Sequence, residues 1–317
     1  MQQQHLISLH TYSRADLDEL LALAAKVKRE PHAYREALAR RTLAMIFEKP
    51  STRTRVSFEA GMFELGGLAM FLGAEALQLS RGEPVADTAR VLSRYVDGIV
   101  ARVGSHETVL TLEKHASVPV INGLSDRLHP CQALADFFTL RERRGRLEGL
   151  TLTYVGDGNN VCHELMLGAA KLGVKMRVAT PAGFEPDPEI TASAMAAARD
   201  AGGAPPELGH DALRAAEGAD AIYTDVWISM GQEQEAAERR RAFAGFAVTA
   251  EMMSLARPEA VFMHCLPAHR GEEVAGEVID GPRSIVFDQA ENRLHVQKAL
   301  LILLLGAGRR DEKSRPR

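Results

Sequence analysis

Phe47-Glu48-Lys49-Pro50-Ser51-Thr52-Arg53-Thr54-Arg55-Val56-Ser57-Phe58-Glu59 is the stretch on which the reading of this chain turns. The apolar run Leu43–Phe47 reads as a short buried strand, and Pro50 breaks it. Ser51 to Arg55 then open a helix. A strand running into a helix N-terminus places hydroxyls, unpartnered backbone N–H groups and a guanidinium at one point. Such a terminus favours an anion, and Arg adds a planar fork matched to phosphate oxygens. An ordinary Ser-capped helix with surface arginines has the same local pattern. The rest of the chain therefore has to decide between the two.

Bulk composition narrows the field. A length of 317 residues suffices for two domains, and 46% hydrophobic with 25% charged residues is the balance of a soluble globular protein. The longest apolar run, Leu300–Leu305, falls far short of the ~20 residues a membrane span needs. Neither a secretory nor a transit signal is recognisable at the N-terminus, where Asp16, Asp18 and Glu19 come early, so a cytoplasmic protein is expected. A net charge of −4, with basic residues gathered only at Arg141–Arg146 and Glu238–Arg241, which read as solvated helix ends, gives no reason to expect nucleic acid or acidic membrane as a partner. Cys131, Cys162 and Cys265 form no Cys-x-x-Cys pair, which fits a reducing compartment and disfavours structural zinc.

Working outward, Ser13 and Asp16 resemble a capping box ahead of Leu17, Leu20, Leu21 and Ala24 at helical spacing. Strands are predicted at Leu43–Phe47, Ala69–Leu72, Gly98–Ala101 and Pro119–Ile121, and a long helix from Pro130 to about Arg143. Residues 141–146 read as a hinge. Beyond it, strands are predicted at Leu150–Val155, Lys175–Ala179, Ala221–Thr224, Ala260–His264 and Ser284–Phe287. Helices are predicted at Asn160–Leu172, Asp187–Ala201, Gln234–Phe243 and Glu272–Ile279. This alternation implies α/β architecture: two doubly wound parallel-sheet domains with a cleft between them. The predicted domains are residues 1–145 and 146–289, with the helix in 290–317 crossing back onto the first.

Each polar cluster follows a predicted strand, where ligands of such sheets bind. Arg102 ends one strand. His129-Pro130-Cys131-Gln132 opens the long helix, and residues three apart share a helix face, so His129 and Gln132 can meet one ligand. Gly156-Asp157-Gly158-Asn159-Asn160 resembles a truncated dinucleotide fingerprint, but the third glycine is missing and no acid follows the next strand. A turn presenting Asn160 to a small ligand is the better reading. Asp225 with Ser229-Met230-Gly231 suits an ammonium group. His264-Cys265-Leu266-Pro267 suggests a thiol nucleophile or a metal site, yet the proline-bearing loop suits neither.

Taken together and in this order, these segments resemble the aspartate/ornithine transcarbamoylase family. Ser-Thr-Arg-Thr-Arg and His-Pro-x-Gln are shared across that family. His264-Cys265-Leu266-Pro267 and Asp225 with Ser229-Met230-Gly231 are its ornithine-type motifs, and the likeness runs through Glu291-Asn292-Arg293-Leu294. The resemblance implies carbamoyl transfer from carbamoyl phosphate to the δ-amine of L-ornithine, giving L-citrulline and phosphate in arginine biosynthesis. It also implies a homotrimer, or a multiple of trimers, in which neighbouring subunits share each site. Gln78 of Leu77-Gln-Leu-Ser-Arg-Gly-Glu83 would be the residue lent by the neighbour. No cofactor and no metal are expected.

The resemblance also assigns roles. Ser51, Thr52, Arg53 and Thr54 hold the phosphate; Arg102, His129 and Thr54 polarise the carbamoyl oxygen. Pro130, Cys131 and Gln132, the backbone of Cys265 and Leu266 (whose bond to Pro267 is cis in relatives), and Arg293 complete the carbamoyl-phosphate site. Arg55 lies about 200° around the helix from Arg53 and reads as structural. Asn160, Asp225, Ser229 and Met230 clamp the amino-acid end of ornithine, with Cys265 beside its δ-amine. Catalytic duty would fall to Cys265, Arg102, His129 and Asp225. A sister enzyme acting on putrescine or an acylated ornithine is the nearest alternative, and a non-catalytic ligand-binding regulator a more distant one.

Overall fold

The computed structural model describes residues 3–229 and 233–306. Its chain divides into two compact units, residues 1–138 with 292–317 and residues 139–291. The chain changes units inside continuous helices rather than in the basic stretch 141–146 that reads as a hinge.

The first unit begins with α1 (Arg14–Arg29), capped reciprocally by Ser13 and Asp16 as its sequence predicts. There follow β1 (Thr42–Phe47), α2 (Thr52–Glu64), β2 (Leu68–Gly73), α3 (Val85–Tyr95), β3 (Gly98–Arg102), α4 (His106–His115), β4 (Val120–Leu124) and α5 (Pro130–Arg144). Among the described residues the sheet has four strands in the order β2-β1-β3-β4, and every pairing is parallel. β1 and β3 are central and buried almost throughout, which is why they read as continuous apolar runs. Ile46, Ile99, Ala101, Val109 and Val120 meet in the core on one side.

The second unit contains β5 (Thr151–Val155), α6 (Asn160–Leu172), β6 (Lys175–Ala179), α7 (Pro188–Asp200), β7 (Glu207–Gly209), α8 (Ala212–Ala216), β8 (Ala221–Thr224), α9 (Ala236–Ala242), α10 (Ala250–Leu255), β9 (Val261–His264) and α11 (Gly276–Ile279). Its sheet, again all parallel, has the order β7-β6-β5-β8-β9. The final helix, α12 (Val286–Leu305), ends in the first unit. There Leu305 lies over Gly98, and Leu294 and Lys298 lie over Gly61 of α2.

Two sequence expectations are corrected. Ser284–Phe287 is not a strand: Ser284 forms only an isolated bridge to Phe262, and Val286 opens α12. The apolar run Ile285-Val286-Phe287 leads directly into helix formers, and Phe287 is exposed. The fifth strand is instead β7, an edge strand of three exposed residues whose single apolar side chain, Leu208, makes no run to read. Likewise, the helix expected over Glu272–Ile279 starts only at Gly276, because Val274 bridges Val248 and the Glu273 carboxylate accepts from the backbone N–H of His269.

Gly158 shows why the fingerprint-like glycines are present. A Cβ there would lie 2.3 Å from the backbone nitrogen of Pro186 and 2.7 Å from the Phe184 carbonyl oxygen. The glycine admits the chain's own β6–α7 connection. Gly158→Ala should therefore destabilise the protein by about 3 kcal/mol in denaturant unfolding, since the obstructing atoms are backbone and cannot rotate away.

Candidate functional site

The first unit gathers its polar groups beyond the carboxyl ends of β1, β3 and β4. Ser51 caps α2, its Oγ accepting from the backbone N–H of Thr54 at 3.2 Å. Glu48, just after β1, accepts from the Gly104 N–H at 2.7 Å and so ties this turn to the one after β3. Thr54 is buried, whereas Thr52 is exposed and Arg53 half-buried. Arg55 points elsewhere: its Nε donates to Glu59 at 3.0 Å and its guanidinium lies 3.9 Å from the Phe71 ring centroid. The structural reading of Arg55 matches this placement.

Arg293 of α12 joins two of the other predicted residues within this unit. Its Nη2 donates to Thr54 Oγ1 at 3.2 Å and its Nη1 to Gln132 Oε1 at 2.7 Å. Gln132 Nε2 in turn donates to Asp136 at 2.8 Å. The Gln132 oxygen expected to meet a ligand NH₂ therefore already serves Arg293, though a carbonyl oxygen retains a second lone pair. Cys131, one position earlier, is buried with its thiol turned toward the Asn122 carbonyl at 3.4 Å.

His129 and Arg102 are both buried here. Burial holds the His129 imidazole well below its ordinary range, and Arg293, Arg102 and Arg53 press in the same direction. The ring is therefore neutral at pH 7, and its Nδ1 has no hydrogen-bond partner among the described residues. A helix N-terminus, three guanidiniums and a neutral imidazole form an electropositive pocket suited to a phosphorylated ligand bearing a carbonyl. Gln78 lies apart on an exposed 3₁₀ turn, Gln78–Arg81.

The second unit has its own cluster beyond β5, β8 and β9. Asp225, just past β8, is buried. Its Oδ1 accepts from the Cys265 thiol at 2.9 Å and from the Val226 N–H at 2.8 Å, and its Oδ2 accepts from Asn159 Nδ2 at 2.8 Å. Asn160 and Ser229 are half-buried near the ends of β5 and β8; Met230 and Gly231 lie outside the described residues. Leu266 takes a left-handed backbone, φ 58°, and its bond to Pro267 is cis. Its N–H donates to His264 Nδ1 at 2.8 Å, leaving Nε2 to face Glu273 at 3.4 Å. Donor atoms of Asp225, His264 and Cys265 lie within 4.8 Å of one another, a set able to accept a thiophilic divalent ion.

Sequence reasoning missed Asn159 and the buried pair Asp157–Arg239. Arg239 Nη1 donates to Asp157 at 3.0 Å and to the Trp227 carbonyl at 2.9 Å, beneath the segment that carries Ser229. The only available signal was an arginine in a helix that otherwise reads as a solvated basic run.

Residues 4–142 match the family model described as aspartate/ornithine carbamoyltransferase, carbamoyl-P binding domain. Residues 148–304 match the aspartate/ornithine carbamoyltransferase, Asp/Orn binding domain. Over 306 residues the chain is 56% identical to an ornithine carbamoyltransferase of Thermococcus kodakarensis, covering 95% of this chain and 96% of that one. It is 55% identical over 306 residues to an anabolic ornithine carbamoyltransferase of Pyrococcus furiosus, covering 95% and 96%. The solved ornithine carbamoyltransferase from Pyrococcus furiosus superposes with a TM-score of 0.92 at 54% identity, over 95% of this chain and 97% of that one. Among the described residues, no helix is long and apolar enough to cross a membrane.

Burial pushes the Asp157 carboxyl up to about 6, with Asp225 and Glu235 adding to the rise and Arg239 opposing it. The folded protein thus binds this proton more tightly than the unfolded chain, so its contribution falls as pH rises from about 4 to about 6. Denaturant unfolding at pH 4 and pH 7 should show Asp157→Asn lacking a decline of about 3 kcal/mol that the native sequence shows.

Proposed function

The chain belongs to the aspartate/ornithine carbamoyltransferase family, and we propose that it transfers the carbamoyl group of carbamoyl phosphate to the δ-amine of L-ornithine. Citrulline and phosphate are the products. The Asp225–Cys265 pair, in the unit that matches the Asp/Orn domain, carries the ornithine reading. Its carboxylate complements a cationic α-amine, which putrescine lacks and an acylated ornithine has lost. Identity above 50% to relatives named for ornithine supports the same choice.

The chemistry follows from what each group offers. The N–H groups at the start of α2, with Ser51, Thr52, Arg53 and Thr54, hold the phosphate. Arg293 holds Thr54 and Gln132 in place for it. Attack on the carbamoyl carbon moves charge onto its oxygen, and Arg102, neutral His129 and Thr54 donate to that oxyanion. A neutral imidazole can donate one N–H without adding a cation to a site already lined by arginines. Gln132 and the carbonyls of Cys265 and Leu266 accept from the carbamoyl NH₂.

The attacking amine must be unprotonated. An alkylamine with a pKa near ~10.4 is free base less than about once in a thousand at pH 7 in water, so the site has to desolvate it and take its proton. Asn160, Asp225, Ser229 and Met230 fix the amino-acid end, and Cys265 borders the δ-amine. The departing phosphate is the closing base, and a thioester on Cys265 is unnecessary when both substrates bind together.

The setting proposed is cytoplasmic arginine biosynthesis, in a homotrimer whose neighbouring subunit supplies Gln78. Purified protein with carbamoyl phosphate and ornithine should yield citrulline, and putrescine in place of ornithine should give little product. Failure with ornithine, or equal turnover of putrescine, overturns the assignment. Arg53→Ala should lower kcat roughly 10³-fold while leaving the fold intact. Asp225→Ala should raise the ornithine KM on the order of 10²-fold with the carbamoyl-phosphate KM little changed, measured by steady-state kinetics.

A further inference from the structure

We propose that Asn159 is a positioning residue of the amine-substrate site, its amide locked by the helix it caps so that its NH₂ group holds Asp225 against the Cys265 thiol. This rests on the site reading above and assigns a residue that reading leaves out.

Three donors converge on one Asn159 oxygen. Oδ1 accepts from the backbone N–H groups of Val161 and Cys162 at 3.0 and 3.2 Å, and from the Tyr154 hydroxyl at 3.2 Å. Reversing the amide would set its NH₂ against both backbone N–H groups and its oxygen against the Asp225 carboxylate, so the orientation is chemically determined. The nitrogen is left with one direction, toward Asp225 Oδ2 at 2.8 Å. Asp225 Oδ1 meanwhile accepts from Val226 N–H and Cys265 Sγ. Both carboxylate oxygens are thus fixed, one from α6 and one from the ends of β8 and β9. Tyr154 anchors the far end: its ring is fully buried and stacked on Tyr223, with centroids 5.8 Å apart.

Capping alone does not explain the residue type. Elsewhere in this protein Ser13, Ser51, Asp187 and Thr249 cap their helices through a hydroxyl or carboxylate. Any of these would serve α6 equally well. The amide keeps an acceptor for the helix and a donor for a carboxylate on two separate atoms at pH 7, where a hydroxyl has one oxygen of shorter reach for both tasks and an ionised carboxylate has no donor. Asp225, not the helix, accounts for the asparagine.

The titratable groups around this point are Tyr154 and Asp157 from the end of β5 and Cys162 from α6. His264 and Cys265 face it from the end of β9, and beyond Asp157 lie Arg239 and Glu235. A second carboxylate placed at 159 would share one proton with Asp225 as pH falls, and the protonated form would donate as the amide does.

Two substitutions separate capping from positioning. Asn159→Ser keeps a neutral cap and loses the reach to Asp225. Asn159→Asp keeps the cap and turns the donor into an oxygen. Both should fold, as judged by thermal unfolding. In steady-state kinetics at pH 8 each should lose roughly tenfold or more in kcat/KM for ornithine, with the carbamoyl-phosphate KM within about twofold. For Asn159→Asp alone, the ratio to the native enzyme should recover as pH is lowered toward 6. An independent readout is iodoacetamide alkylation of Cys265, the one cysteine that is not buried. Freed from a fixed carboxylate, the thiol should react several-fold faster in Asn159→Ser, and beside an added charge several-fold slower in Asn159→Asp.

Native-like ornithine kinetics and alkylation in Asn159→Ser would reduce Asn159 to a helix cap and overturn the proposal, whether or not the aspartate variant folds. A loss confined to carbamoyl phosphate would overturn it equally. Should the native protein make no citrulline, the functional reading fails, and the alkylation rates alone still decide whether Asn159 sets the Asp225–Cys265 pair.

Discussion

Both units depend on the same constraint: a parallel strand must hand over to a helix, and the helix N-terminus arrives with backbone N–H groups that have no partner. In each unit the polar side chains collect where that handover occurs. Ser51 meets the need at α2 and Asn159 at α6, each through a side-chain oxygen. Arg102, Asp225 and Cys265 stand at or just past the ends of β3, β8 and β9. The polar groups of both clusters therefore sit at or just past the ends of buried strands.

Charge is handled differently in the two units. The first concentrates positive charge around a buried imidazole, and burial together with that charge keeps the imidazole neutral. Arg293 is held by neutral oxygens of Thr54 and Gln132. The Gln297 amide, with its oxygen turned to Arg293, accepts from Nε and Nη2 at 3.2 and 3.0 Å. Neutral partners orient a guanidinium without cancelling its field. At the strand ends of the second unit the buried charged groups include the carboxylates Asp157 and Asp225. Asp225 is satisfied by an amide, a backbone N–H and a thiol, and Asp157 by Arg239. A negative centre of this kind complements a cationic amino acid, as a positive one complements a phosphate.

Hydrogen bonding inside the protein also separates residues that look alike in sequence. Asn159 and Asn160 are adjacent, yet the first is committed to the helix cap and Asp225 while the second is the one read as facing a ligand. Arg53 and Arg55 are two positions apart, and Arg55 turns to Glu59 and Phe71. Gly158, which looks like part of a phosphate-binding fingerprint, serves the close passage of residues 184–186.

The sequence by itself determined the two parallel-sheet units, the four strands of the first and the places where polar clusters follow strands. Those features rest on local signals: apolar runs fully buried in parallel sheets, proline at helix starts, and caps one residue ahead of a helix. Tertiary structure decided what local pattern cannot carry. β7 is an exposed edge strand with one apolar residue, Leu208, and no apolar run, and the run at 285–287 leads into a helix because the residues after it continue one. Arg293 reaches Thr54 and Gln132 across 239 and 161 positions of chain, and Asn159 reaches Asp225 across 66. Which donor meets which acceptor at such separations depends on how sheets and helices pack, and spacing along the chain holds no record of it.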